Sequence, residues 1–378
     1  MKTRPCQILL AGAVLLPLLL VAAPSAPEKY ERFTTRPGPW GELSYYYLNF
    51  EPDESMIDLA SIFPPAAEWH FAPWDWPRID LLFSQSGLTP NQRLVLRDKS
   101  IRTLEADGWV LRPPRDLIAG LSAKSRARIY DALSLNPANP RARYPRYFKT
   151  PDIASELAPL KVPPRALTIM QNALYRRGDY WAFSDLPLLD GAFDTDEAAL
   201  RFWQRIVRTR ALILELNRPD PAKVPLLADY WGLNQREAIH QNLRNFGRST
   251  RPRLDVIRLL TPFGRRVLNT TPRPPDEFSL ANCSWLAMNF DRAEASVEFA
   301  PQLRPDYDPI AHSYESLRQT HVPVNPPLRY GDVLVINVGP PDSYVVEHFC
   351  IYIADDIVLT KNGSGNSPAV FMRLPDLQ

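Results

Sequence analysis

Forty prolines in 378 residues, roughly one position in nine, set the first limit on how this chain folds. Each lacks a backbone N–H and holds φ near about −65°, so long helices and uninterrupted central strands are excluded over most of the sequence. The prolines are scattered among Trp, Tyr, Leu and Ile rather than gathered in a low-complexity tract. With 45% hydrophobic and 11% aromatic residues there is ample material for a buried core. The chain is therefore expected to be folded and loop-rich, and its length favours two units.

Residues 1–25 read as a secretory signal. Lys2 and Arg4 precede an apolar run from Ile8 to Val21, and Ala23-Pro24-Ser25 offers a small-residue cleavage zone. The run is about 14 residues long and contains Pro17, short of the ~20 that a spanning helix needs. The mature chain is then expected to be extracytoplasmic, periplasmic or secreted, with no stable membrane span. Lys2 and Arg4 account for the whole excess of two positive charges, so the remainder carries 42 residues of each sign. That balance offers no pointer to a nucleic-acid partner. Cys6 leaves with the signal, and the two remaining cysteines, Cys283 and Cys350, are too few for a disulfide scaffold. Both are expected to be free thiols lying near one another.

From Gly41 to Phe50 an aromatic-rich stretch suits a strand, and the Trp-rich run from His70 to Pro77 suits an irregular loop that plugs a core, or a carbohydrate-stacking platform. Helical patterning begins at Thr89, the N-cap before Pro90, and recurs over 122–135, 165–176, 194–217, 224–231, 235–246 and around 254–260. In the 194–217 segment Asp194 is the expected cap, and Leu200, Trp203, Ile206, Val207 and Leu214 form the stripe. Between these helices, residues 140–147 interleave Arg141, Arg143 and Arg146 with Tyr144 and Tyr147, a pattern of either a solvated loop or a grip on an anionic polymer. Thr270-Thr271-Pro272-Arg273-Pro274-Pro275 interrupts all periodicity, so 26–271 is expected to be a mainly helical, proline-rich region and 272–378 a separate domain.

That C-terminal stretch holds the one constellation with chemical content. Cys283 falls in the first turn of a short apolar helix over 281–290, where unpaired N–H groups and the helix dipole favour a thiolate. A meander follows: Val333–Val338, Val345–Ile353, Ile357–Lys361 and Val370–Leu374. Alternation puts Val346, His348, Cys350 and Tyr352 on one face of the second strand. The expected class is α+β: a largely helical N-terminal region, then a helix plus antiparallel β-meander. His70, His240, His312 and His321 show no metal-ligand spacing, and neither a Gly-x-Ser-x-Gly elbow nor a phosphate loop occurs, so no metal or cofactor is expected.

Asn282-Cys283-Ser284, Tyr330-Gly331-Asp332-Val333-Leu334 and His348-Phe349-Cys350-Ile351-Tyr352-Ile353-Ala354-Asp355 resemble, in order and spacing, three signature blocks of NlpC-type cell-wall hydrolases, which are papain-like cysteine enzymes. The resemblance covers about the last 100 residues. It implies a papain-like fold there, Cys283 as nucleophile toward an amide, His348 as its base, and a polar residue on the next strand to orient the ring. In the family that residue falls near Thr360; Asn362, on the same strand face, is the preferred candidate because an amide oxygen accepts from an imidazole N–H. The substrate it implies is a peptide or amide, in cell-wall material such as peptidoglycan. Trp285 and Cys350 stand where the family usually has glycine. A non-catalytic binding module that keeps the cleft is the alternative.

Overall fold

The computed structural model describes residues 30–271, 281–296, 308–338, 345–363 and 367–377. The expected signal segment, the proline-rich junction from 272 onward and the expected Pro340–Asp342 reversal lie outside the described residues.

The architecture mixes helices with antiparallel sheet. One large sheet contains β1 (Phe33–Thr34), β2 (Leu43–Phe50), β3 (Thr209–Asn217), β4 (Arg253–Asp255), β5 (Val333–Val338), β6 (Val345–Ala354), β7 (Ile357–Lys361) and β8 (Ala369–Arg373). Its order is β1-β2-β3-β8-β7-β6-β5, with β4 on β3, and every pairing is antiparallel. The meander expected after residue 332 is present as β5–β8. It does not stand alone, because β8 continues onto β3 through Phe371 opposite Leu212.

The helix expected over 194–217 is instead a helix followed by a strand. Helix α1 (Asp196–Ile206) is capped by Thr195, not Asp194, with the threonine side chain accepting from Ala198 N–H. The chain then extends as β3, where Leu212, Leu214 and Leu216 are buried and Ile213 and Glu215 are half-buried. Leu214 fits a helical stripe and a strand alternation equally well. Eight consecutive partners on β2, from Leu43 opposite Leu216 to Phe50 opposite Thr209, decide the matter. The 165–176 pattern divides in the same way, into a helix ending at Asn172 and a short strand from Tyr175.

Buried apolar residues form two main cores. One draws only on residues between Phe63 and Ile206, and includes Trp69 and Phe71 of the Trp-rich run. The other joins Leu43 and Tyr45, Leu212–Leu216, residues 224–268, the segment from Ala281 to Phe290, and the meander as far as Phe371. Two helices of this second core, α2 (Val224–Trp231) and α3 (Arg236–Arg248), lie before residue 272. Tyr230 on α2 donates to the Ile353 carbonyl at 2.8 Å, and Trp231 Nε1 donates to the Trp40 carbonyl at 3.0 Å. A chain cut at residue 271 would thus expose Leu214 and Leu216 on one piece and the β8 edge on the other.

Candidate active site

Cys283 opens helix α4 (Cys283–Asn289), all seven residues of which are buried. Asn282 is the N-cap: its Oδ1 accepts from Trp285 N–H at 2.9 Å and from the Ser284 hydroxyl at 2.9 Å. Trp285 turns into the large core, edge-on to Phe263 at a centroid distance of 5.2 Å. The amphipathic helix α5 (Pro309–Thr320) packs Ile310, Tyr314 and Leu317 against the same core.

The strand that carries His348 is set by the turn before β5. Gly331 has a φ of +95°, a conformation that favours glycine, and its N–H reaches the Tyr352 carbonyl at 3.0 Å while Tyr352 N–H reaches Asp332 O at 2.8 Å. Register then runs from Val333 opposite Ile351 to Ile336 opposite His348, after which it shifts, so that Asn337 faces Val346. Glu347 is the extra residue of a β-bulge. In consequence Val346 packs against the large core along with Val333 and Val335, not beside His348 as simple alternation predicts.

Alternation and register divide the rest of the meander cleanly. Phe349, Ile351, Leu359 and Phe371 face the large core, and Lys361, opposite Ala369, joins that face. His348, Cys350 and Thr360 project from the other. His348 Nε2 and Thr360 Oγ1 are hydrogen-bonded at 2.6 Å. Of the two candidates for orienting the ring, then, Thr360 holds it. Asn362 directs its Nδ2 to Met372 Sδ at 3.7 Å, and its buried Oδ1 has no hydrogen-bond partner.

Cys283 meets β6 at the residue after His348: the Phe349 N–H lies near enough to favour the thiolate, as do the N–H groups of Ser284 and of Cys283 itself. The thiol also lies within electrostatic reach of Lys361 and of Cys350. Both cysteines are free. No hydrogen bond joins the sulfur to the imidazole, and Nδ1 makes none with any described residue.

The electrostatics differ from a low-pKa thiolate beside an imidazolium. Burial pushes the Cys283 thiol up, and the three N–H groups and Lys361 only partly oppose it. Burial brings His348 down to about 4, so the ring is neutral at pH 7. It pushes Cys350 up to about 12, with the Cys283 charge adding to the effect. Lys361 is lowered to about 8 by the same desolvation, opposed by Cys283. A seven-residue helix start, wholly enclosed, does not offset the desolvation of an anion.

Lys361 is the site residue not anticipated from sequence. Its side chain is fully buried, and Nζ donates to the Ser367 carbonyl. The signal was available: Ile357, Leu359 and Lys361 alternate, so a strand buried on the Ile357 face buries the lysine with it. Among the described residues no group of three or more His, Cys, Asp or Glu converges as metal ligands would, and no helix is long and apolar enough to cross a membrane. No family model, curated protein or solved structure matches the chain.

Proposed function

We propose that the protein is an exported cysteine hydrolase that cleaves amide bonds in peptides of cell-wall material, in the manner of the NlpC-type enzymes its last third resembles. One observation carries the reading. A cysteine opening a helix is packed on the strand that bears His348, and His348 is bonded to Thr360 on the next strand, the position at which the resemblance calls for a polar partner.

With Thr360 accepting from Nε2–H, the ring presents Nδ1 as the free base. Nδ1 takes the thiol proton as Cys283 Sγ attacks the amide carbon, and the carbonyl π pair moves onto oxygen. The resulting oxyanion is held by backbone N–H groups at the helix start. On collapse the C–N bond breaks, the imidazolium returns the proton to the leaving amine, and a thioester on Cys283 remains for water to hydrolyse. Because the ground state is neutral thiol and neutral imidazole, proton transfer must accompany attack. Cys283 packs in the large core and His348 projects from the opposite sheet face, so ring and sulfur must be brought together before the proton moves.

The binding-module reading rests on a separate observation: Cys283 is 4% exposed and its pKa is raised, which suits a buried structural cysteine. Incubation with purified muropeptides, read by mass spectrometry, separates the two. Hydrolysis predicts new amine and carboxyl ends with the wild type and none with Cys283→Ala. Intact muropeptides that are nevertheless retained on immobilised protein support the binding module.

A further inference from the structure

Far from Cys283, in the smaller core, the basic and aromatic run at 140–147 lines a cavity of ≈ 180 Å³. Arg146 opens a short strand over Arg146–Phe148 and lies opposite Phe183 in the pairing with Tyr180–Phe183. Tyr144 and Pro145 form one wall; Phe183, Phe202 and Trp203 form the other, the last two from helix α1. Arg141 also borders the space, but its guanidinium is committed to the carbonyls of Ser61 and Ile62.

Arg146 is different. It makes no hydrogen bond, ion pair or ring contact with any described residue, although most arginines around it do. Arg143 lies over the Tyr144 ring at 5.5 Å, Arg177 donates to the Ala142 carbonyl, and Arg205 donates to the Leu160 carbonyl at 2.9 Å. Arg146 remains open to solvent, yet the surrounding atoms desolvate its charge enough to lower its pKa. Access and crowding coexist where a group stands in a concave mouth. The charges nearby are Glu156, which attracts, and Arg208, which repels, leaving the mouth net positive. An unpaired, partly desolvated guanidinium over an apolar hollow is the arrangement that receives a planar anion through two parallel hydrogen bonds.

We propose that this cavity binds a small carboxylate with an apolar body the size of one aromatic ring, its carboxylate on Arg146 and its body against Phe183, Phe202 and Trp203. The volume fits such a body, since a closed apolar cavity of about 150 Å³ accommodates benzene. Arg146 is the one uncommitted cation among the residues lining the pocket, which suits a single small anion better than a polyanion.

Calorimetric titration of the full chain with phenylacetate tests this, with phenylacetamide as the neutral isostere. The expected result is saturable binding of phenylacetate, at least about tenfold weaker binding of phenylacetamide, and a comparable loss in Arg146→Gln. Arg146→Lys should retain an intermediate affinity, since it keeps the charge without the fork. Arg146 is solvent-accessible, so both variants should melt as the wild type does. No heat at about 10 mM phenylacetate, equal binding of acid and amide, or unchanged affinity in Arg146→Gln would each overturn the proposal. A variant that fails to fold leaves the acid-against-amide comparison on the wild type to decide.

Discussion

The two cores treat buried ionisable groups in opposite ways. In the smaller core Arg126 is completely enclosed, and each part of its guanidinium is used: Nε on Asp185 at 2.8 Å, Nη1 on the Leu121 carbonyl, Nη2 on the Ile118 carbonyl at 2.6 Å. Asp185 is closed in turn by the Tyr130 hydroxyl. Around Cys283 nothing is closed so fully. His348 has Thr360 and a free Nδ1, Asn362 leaves an oxygen unpaired, and the Cys283 thiol is buried within electrostatic reach of Cys350. A saturated network specifies a fold; an unsaturated one costs stability and is kept where a substrate or a moving proton completes it.

The largest effect that can break this comparison is on the closed side. Arg126→Met should cost about 3–5 kcal/mol in urea denaturation, because Asp185 is left buried without its cation. Replacing both, as Arg126→Met with Asp185→Leu, should recover most of that loss. Failure to recover would mean that the pair contributes more than its mutual satisfaction.

Next is the acid limb of stability. His348 titrates at about 4 in the folded protein against 6.5 ordinarily, so the unfolded chain takes the proton first as pH falls. Its contribution is intact above about pH 6.5 and is lost as pH drops through 4, amounting to about 3 kcal/mol. His348→Leu should flatten the stability profile across that window. An identical profile would place the ring's environment elsewhere.

Lys361 follows, with the same sign in a higher pH window. Its folded pKa of about 8 lies below the usual 10.5, so at pH 7 the fold carries the cost of an enclosed ammonium, a cost that fades as pH rises through 8 toward 10.5. Lys361→Met should therefore stabilise the protein at pH 7 by about 1–3 kcal/mol in the same urea assay. Destabilisation would show the lysine to be a structural strut of the β7 end. Thr360→Val is the smallest of the four: about 1 kcal/mol, from leaving the His348 ring without its 2.6 Å partner.

Locally determined elements were legible in the sequence. Val224–Trp231 and Ile357–Lys361 have the bounds that their patterns predict, and Thr89 caps the helix that Pro90 opens, as expected. What sequence could not reveal was long-range. β3 reads as helix until β2, more than 150 residues earlier, pairs with it. The extra residue Glu347 is invisible without its partner strand, yet it decides which side Val346 takes. At the site, Cys283 at a helix start and His348 on a strand were readable; their ionisation was not, because burial, not helix position, sets it. Thr360 against Asn362 was likewise a question of register and reach.

The central claim, that His348 serves Cys283 as its base, is tested most directly by the rate of Cys283 alkylation with iodoacetamide across pH 6–10, located by peptide mapping. The account predicts a rate that keeps rising above pH 8.5, because burial raises the thiol pKa, and an unreacted Cys350. It predicts at pH 7.5 a fall of at least about tenfold in His348→Ala, as removal of a general base requires. A Cys283 that alkylates at the same rate with and without the imidazole would contradict it.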